Sequence, residues 1–203
     1  MTTQEKTDTK KKTNGIVTPE FRVSFPAVFT PKPGMNASAK PKYSIGMLFP
    51  KTTDLTPIKK LVHAAIVGKW GEDKAKWPKG LYQPFRDGAE KDYDGYGPDV
   101  IFATASSTAK PGLVDASVQP IIAQEDFYGG CYARAKIDVY AFEAKDTTTG
   151  AVLKRGVSFG LVNVQKMRDG EPFSGRTKAE NDFDAITVPG GSSAEAEDPL
   201  AGL

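Results

Sequence analysis

Residues 131–142 read Cys131-Tyr-Ala-Arg-Ala-Lys-Ile-Asp-Val-Tyr-Ala-Phe142, and their strict alternation of small apolar with larger side chains predicts a β-strand. Successive side chains of a strand point to opposite faces. One face is small and apolar, formed by Cys131, Ala133, Ala135, Ile137, Val139 and Ala141. The other mixes aromatic rings with charges, in Tyr132, Arg134, Lys136, Asp138, Tyr140 and Phe142. The segment therefore predicts a long strand with one face in a core and the other exposed.

Four more segments share this period-two pattern. They are Phe21–Phe29, Tyr43–Phe49, Asp99–Ser107 and Gly156–Met167. In the first, we expect one apolar face made of Phe21, Val23, Phe25, Ala27 and Phe29. Turn-forming residues at 146–150 predict that the strand at 131–142 and the strand from Gly156 form a hairpin.

One segment has helical spacing instead. Apolar residues fall on a single helix face at Ile58, Leu61, Val62, Ala65, Ile66 and Trp70. Asp54 or Thr56 can cap the start, and Gly71 is a stop signal. The sequence thus predicts a mainly β protein, an OB-type β-barrel with one main α-helix at about residues 55–70 and disordered termini. An immunoglobulin-like β-sandwich is the alternative that periodicity leaves open.

The two ends of the chain differ from its middle in composition. Residues 1–15 are rich in Thr and Lys without apolar periodicity and are expected to form a disordered arm, while residues 188–203 are expected to be a flexible acidic tail. We expect residues 16–187 to form a single domain. Residues 1–176 carry 26 Lys and Arg against 19 Asp and Glu, whereas residues 177–203 carry one Lys against six acids. A basic body favours a polyanionic partner.

The outer face of the strand at 131–142 is a candidate binding surface. Rings that stack on bases and cations that follow phosphates are typical of surfaces that hold single strands of nucleic acid. The candidate residues are Tyr132, Arg134, Lys136 and Tyr140. An ordinary solvated strand face with cross-strand aromatic pairs explains the same composition, and the pattern alone leaves both interpretations open.

A second candidate lies in the Gly- and Pro-rich segment Trp77–Gly97, which is expected to run over the surface. We expect Trp77 and Tyr82 to pack against the barrel. The residues expected to face a ligand are Arg86, Tyr93 and Tyr96, with Phe85 and Lys91 beside them.

Patterns typical of enzymes are weak in this chain. Gly156-Val-Ser-Phe-Gly160 has the form of a nucleophile elbow, but it lies in a strand pattern and the single histidine, His63, is far upstream. One Cys and one His cannot form a zinc site, and the acidic segment from Asp92 does not complete a calcium loop. The sequence predicts no enzyme, cofactor or metal.

The sequence also shows no membrane span or secretion signal. Its single cysteine, Cys131, fits a cytoplasmic protein.

The acidic tail suggests a role of its own. A tethered polyanion can occupy a basic groove until DNA displaces it, and it is then available to other proteins. The residues that would act in this way are Glu195, Glu197, Asp198, Leu200 and Leu203. A tail that only improves solubility is the alternative.

Several short motifs, taken in order, resemble a family of tailed-phage single-stranded-DNA-binding proteins that was formerly a domain of unknown function. The motifs are YSIGMLFP at 43–50, FRDG at 85–88, YDGY at 93–96, YGGCYAR at 128–134, GVSFGL at 156–161 and VQ at 164–165. The resemblance covers roughly residues 16–187.

The resemblance implies an OB-type fold and sequence-independent binding and protection of single-stranded DNA in phage DNA replication, recombination or repair. It also implies an acidic tail that contacts replication or recombination proteins, and a location in the host cell cytoplasm. Bacterial proteins of this kind end in an aromatic residue, whereas Leu203 stands last here. An exposed sheet edge would allow a homodimer. The alternatives are a phage structural or assembly protein with a β-sandwich fold and a metal-dependent nuclease.

Overall fold

The computed structural model describes residues 15–34, 39–146 and 148–173. Of the expected arm only Gly15 belongs to this part of the chain. The expected tail, with its candidate residues Glu195, Glu197, Asp198, Leu200 and Leu203, lies outside the described residues. The strands are β1 (Gly15–Val17), β2 (Phe21–Lys32), β3 (Lys42–Pro50), β4 (Arg86–Asp87), β5 (Val100–Ser107), β6 (Gly112–Val114), β7 (Tyr132–Lys145) and β8 (Val152–Arg168). The helix α1 spans Thr56–Trp70, and short 3-10 helices span Lys74–Lys76, Gly88–Glu90 and Gln124–Asp126.

Five strands close into a ring in the order β2-β3-β5-β8-β7, with β7 pairing back onto β2. All these pairings are antiparallel except β5–β8, which is parallel. A closed ring of five strands is the OB-type barrel, and the strands of the described residues do not form the two stacked sheets of a sandwich. The fold prediction is therefore confirmed.

The hairpin of β7 and β8 is the longest pairing, running from Tyr132 opposite Arg168 to Lys145 opposite Val152. Each of these strands is long enough to pair with two further strands along its other edge. β7 pairs with β2 and then β1, while β8 pairs with β5 and then β6. The Asp146 carboxylate fixes the turn by accepting hydrogen bonds from the backbone N–H groups of Thr148 and Thr149.

Helix α1 matches the predicted span closely. The Asp54 carboxylate accepts a hydrogen bond from the Thr56 N–H at 2.9 Å. The Thr56 side chain, together with this N–H, holds the pKa of Asp54 below its usual value. Gly71 ends the helix with φ 83°, a conformation that glycine adopts at little cost. The buried face of Ile58, Val62 and Ile66 packs α1 against β7 and β8.

The inward faces of the barrel strands and α1 form one hydrophobic core. Its largest fully buried side chains include Phe21, Phe49, Phe127, Phe159, Ile45, Met47, Ile58 and Ile137. On β7 the alternation is as predicted, because Ala133, Ala135, Ile137 and Val139 are buried.

The structure corrects the predicted orientation of Phe25 on β2. The ring was expected inside, yet it is 52% exposed, because the register slips between Ser24 and Ala27 and Phe25 adopts φ 43°. Such an irregularity inserts an extra residue and reverses the direction of the side chain. The strands β1, β4 and β6, of three, two and three residues, were not predicted, since so few residues show no periodicity.

Candidate nucleic-acid interface

Aromatic rings form a continuous row on the outer side of β2, β3 and β5. Phe25 and Tyr93 meet edge to face with ring centroids 5.2 Å apart, and Tyr96 lies 5.7 Å from Tyr93. Tyr96 in turn packs on Phe102 of β5 at 5.2 Å. The row thus joins strand residues to the loop that follows β4.

Cations extend this row at both ends. The Arg86 guanidinium stacks on Phe102 at 4.3 Å and lies 5.8 Å from the ring of Tyr82. Lys154 lies over the Tyr82 ring, 4.0 Å from its centroid, and Lys32 lies 5.7 Å from the ring of Phe25. We call this set the aromatic line; it consists of Lys32, Phe25, Tyr93, Tyr96, Phe102, Arg86, Tyr82 and Lys154.

Two solvent-facing rings dominate the surface of the aromatic line. Phe25 is 52% and Tyr93 54% exposed, whereas Phe102 is buried beneath Tyr96 and Arg86. A cavity of about 330 Å³ opens between Phe25, Tyr93 and Phe173. Exposed rings beside an open cavity can accept flat, unstacked bases.

The loop that carries Tyr93 and Tyr96 is anchored at its base. Arg86 and Asp87 pair with Phe102 and Ile101 as β4 and β5. The Asp87 carboxylate accepts hydrogen bonds from the Lys51 ammonium at 2.8 Å and from the Ala89 N–H at 3.0 Å. These two bonds lower the pKa of Asp87. The Tyr96 hydroxyl lies 3.2 Å from the Ser24 hydroxyl, which ties the loop to β2. The rings are therefore held in place before any ligand arrives.

The side chain of Arg86 is unusual in its surroundings. Its Nε is buried and has no hydrogen-bond partner within the described residues. A guanidinium held against rings without a carboxylate keeps its charge available to an anion.

A second cluster of rings and cations adjoins the loop. Arg168 stacks on Tyr132 at 3.4 Å and forms a 2.7 Å ion pair with Glu20. Arg22 stacks on Phe173 at 4.3 Å and donates to the carbonyl oxygens of Gly130 and Glu171. Tyr132 is thus covered on one side by an arginine. A cavity of about 570 Å³ is lined by Arg22, Tyr132 and Arg168 together with Gly95, next to Tyr96.

The other predicted residues fall in different places. Phe85 packs on the core rings Phe49 and Phe159, so we leave it out of the interface. Lys91 is exposed on the same loop as Tyr93. Tyr140 is 42% exposed on β7, two residues before Phe142, which packs on Tyr82. Trp77 packs on His63 and Tyr82 on Phe142, as expected for loop residues that pack back on the fold.

Arg134 and Lys136 occupy a separate groove on β7 and β8. It has a volume of about 340 Å³ and shares no lining residue with the aromatic line. The strand pattern at 131–142 therefore predicted one continuous face, but the structure divides its residues among different surroundings.

Sequence reasoning missed five members of the aromatic line, namely Lys32, Phe25, Tyr82, Phe102 and Lys154. Tyr82 was expected only to pack against the barrel. Phe25 was assigned to the core because of its period-two position. Phe102 gave no signal because it is buried and acts as a support for Tyr96 and Arg86. The two lysines stand at strand ends, where lysine is common, and only the folded barrel brings them to the ends of one row.

No group of three or more His, Cys, Asp or Glu side chains that could hold a metal ion occurs within residues 15–34, 39–146 and 148–173. The GxSxG segment lies inside β8, where the outward Gly156 admits the backbone of Tyr82, so it is not a nucleophile elbow. In the part of the chain that the structure describes, no helix combines the length and apolar character that crossing a bilayer requires.

Comparison with known proteins gives consistent matches. A family model described as "Enterobacter phage Enc34, ssDNA-binding protein" matches residues 14–198. Putative protein p50 of Acyrthosiphon pisum secondary endosymbiont phage 1 is 33% identical over 190 residues, covering 89% of this chain and 95% of the relative.

Solved structures share the fold. The single-stranded DNA-binding protein of bacteriophage Enc34, in complex with ssDNA, superposes with a TM-score of 0.62 at 24% identity, covering 79% of this chain and 90% of that one. The gp2.5 single-stranded DNA binding protein encoded by bacteriophage T7 superposes with a TM-score of 0.52 at 14% identity, covering 83% and 98%. The family match spans most of the chain, and the barrel is the one these structures share. This protein is thus a member of the family of the Enterobacter phage Enc34 ssDNA-binding protein.

Proposed function

We propose that this protein binds single-stranded DNA along the aromatic line, without sequence preference, and protects it during phage DNA replication, recombination or repair in the host cytoplasm. The observation that carries this proposal is the row of exposed rings between two sets of cations. Phe25 and Tyr93 offer ring faces to bases, while Lys32, Arg86 and Lys154 are placed to neutralise phosphates. Base–ring stacking is tolerant of sequence because every base has a flat face.

The location of the aromatic line in the barrel supports the same conclusion. OB-folds bind oligonucleotides on the face of their second and third strands, between the first and last interstrand loops. Here these barrel strands are β3 and β5. Lys32 ends β2 at the first of these loops, and Lys154 follows the turn of the β7–β8 hairpin, which is the last. The aromatic line therefore runs from one loop to the other.

Within this proposal the predicted residues have different roles. Tyr93 and Arg86 contact DNA directly, and Tyr96 holds the loop and offers the accessible part of its partly buried ring. Lys91 and Tyr140 flank the path, and Tyr132 with Arg168 extends it beyond Gly95. Phe85 supports Phe49 and Phe159 from inside.

Two further proposals concern partners. The acidic tail, through Glu195, Glu197 and Asp198, competes with DNA for the basic body, and Leu200 and Leu203 are offered to replication or recombination proteins once DNA binds. A second copy of the chain would pair at β1 or β6, which end the strand order in the described residues.

The decisive test is fluorescence anisotropy with a labelled dT oligonucleotide of about 16 nucleotides, near the upper site size of one OB-fold, over a salt series. We expect tight binding at low salt that weakens as salt rises. Binding releases counterions from the phosphates of the strand, and this release becomes less favourable as the salt concentration increases. Tyr93→Ala should weaken binding roughly tenfold, since one stacked base contributes about 1–3 kcal/mol. The matched variant Tyr93→Phe keeps the ring and should stay within about twofold of the wild type.

Other outcomes would reject the proposal. Absence of binding at low salt, or equal affinity for a duplex, would favour a structural or assembly protein. Shortening of the oligonucleotide on a gel only when magnesium is present would favour a nuclease.

A further inference from the structure

A groove on the outer side of the β7–β8 hairpin is not used by the proposed DNA path. Its floor consists of Arg134, Lys136, Asn163 and Gln165, and its rims are Val17 of β1 and Val114 of β6. In the ring order β2-β3-β5-β8-β7, the β7–β8 pairing lies across the barrel from β3, which is the strand between β2 with Phe25 and β5 with Phe102. The two surfaces therefore face different directions.

Gln165 fixes the orientation of Arg134. Its Nε2 donates to the carbonyl oxygens of Asp115 and Ala116 at 3.0 and 3.3 Å, so its Oε1 must point the other way. That oxygen accepts a hydrogen bond from the Arg134 Nε at 2.8 Å. The guanidinium is held at Nε, and its two terminal nitrogens remain to form the fork that recognises phosphate oxygens.

The charges of the groove are not neutralised by ion pairs. Among the described residues, carboxylates pair with Arg168, Lys51 and Lys166, but none lies within 4.0 Å of Arg134 or Lys136. The acid on this face is Asp138, whose Oδ1 is buried without a hydrogen-bond partner. The carboxylate of Asp115 is engaged by the N–H groups of Ser117 and Gln119. The groove thus presents two exposed cations.

The spacing and composition of the groove define the ligand. Arg134 and Lys136 are two residues apart on one strand, about 7 Å, which is comparable with the spacing of neighbouring phosphates in an extended single strand. Among the described residues no aromatic ring lines the groove, and the adjacent ring of Tyr132 is covered on one side by Arg168. Such a surface favours a phosphate backbone, because its described lining offers two cations and no aromatic ring on which a base can stack.

We propose that this groove is a second nucleic-acid site, which binds the phosphodiester backbone of a second single-stranded segment while the aromatic line holds the first. The proposal rests on the proposed function for the first segment only. Each protomer then carries two strands or two parts of one strand, one held by stacking and one by charge.

The test is the binding stoichiometry of a short labelled dT oligonucleotide, measured at low salt with protein far above the dissociation constant of the first site. Wild type should bind two oligonucleotides per protomer, the second more weakly and lost first as salt rises. The double variant Arg134→Gln, Lys136→Gln should bind one, with its first-site affinity within about twofold of the wild type. The matched control Lys59→Gln, Lys60→Gln removes two exposed charges from α1 and should still bind two.

Gln165→Met tests positioning by Gln165. It keeps both cations, so the second site should weaken several-fold while its salt dependence stays as in the wild type. A variant that leaves the second site unchanged would show that Gln165 does not position Arg134.

Clear outcomes would overturn the second site. One is saturation of wild type at one oligonucleotide per protomer. The other is a loss of first-site affinity in the double variant as large as its loss of second-site affinity, which would make the groove part of a single DNA path. If wild type binds one oligonucleotide and a peptide of residues 188–203 binds to wild type but not to the double variant, the groove is assigned to the acidic tail. Failure of the proposed function itself is recognised separately, because Tyr93→Ala would then leave the first site unchanged.

Discussion

At Phe25 the backbone adopts φ 43°, a left-handed conformation that is uncommon for any residue with a side chain and unfavourable for a bulky one. The ring gains little from burial in return, since it is 52% exposed. It meets the Tyr93 ring in a T-shaped contact and lies tilted 6.4 Å from the Tyr96 ring. Strain of this kind is retained where it serves a site. Here the conformation directs the ring out of the barrel and onto the aromatic line.

Comparing Phe25→Gly with Phe25→Ala separates strain from binding. Both variants lose the ring and should bind dT roughly tenfold more weakly, which anisotropy measures. Only glycine adopts positive φ freely, so Phe25→Gly should be more stable than Phe25→Ala by about 1 kcal/mol in denaturant unfolding. Equal unfolding free energies would show that the backbone at this position is not strained.

The elements differ in how far the sequence could predict them. The strand at 131–142, the hairpin and α1 were predictable because each buries a regular face over many residues. The aromatic line was predicted only in part, through Arg86, Tyr93 and Tyr96, since a loop rich in Gly and Pro must place its rings on the surface. Phe25 could not be placed because one irregularity reverses the side-chain direction, and pairings across the barrel depend on contacts far apart in sequence.

Gly156 shows how one element fixes another. The chain at Tyr82 pairs with β8 there, with the Tyr82 N–H donating to Arg155 and the Val157 N–H donating to Tyr82. A Cβ on Gly156, whose φ is 154°, would lie 2.3 Å from the Tyr82 carbonyl oxygen. Tyr82, and with it the contacts to Arg86 and Lys154, can lie on the barrel only because residue 156 has no side chain.

Gly156→Ala should therefore destabilise the fold by about 2 kcal/mol or more in denaturant unfolding, as expected when the backbone must move. It should also weaken DNA binding, because the Tyr82 end of the aromatic line is displaced. The control is Gly68→Ala in α1, where an added Cβ meets nothing within 4 Å. That change should stabilise the helix by about 0.5–1 kcal/mol and leave DNA affinity unaltered. Similar stability losses in both variants would contradict the contact at Gly156.

At the scale of the whole molecule, charge is segregated along the chain. The body up to residue 176 has seven more cations than acids, and residues 177–203 have five more acids than cations. Some of the body's cations lie on two surfaces, the aromatic line and the groove of Arg134 and Lys136. A tethered acidic segment acts on such surfaces at high effective concentration, whereas the same segment as a separate peptide would be dilute.

Deleting residues 188–203 should accordingly tighten dT binding several-fold at low salt, and the difference should shrink as salt screens the tail. The full-length variant Glu195→Gln, Glu197→Gln, Asp198→Asn keeps the length and apolar residues, so it should reproduce the tightening if charge is the cause. Leu200→Ser, Leu203→Ser keeps the charge and should bind DNA as the wild type does, while losing contacts with partner proteins. Anisotropy across a salt series compares all four proteins. Identical affinities at low salt would mean that the tail does not compete with DNA, since a competitor bound by charge must act most strongly where screening is least.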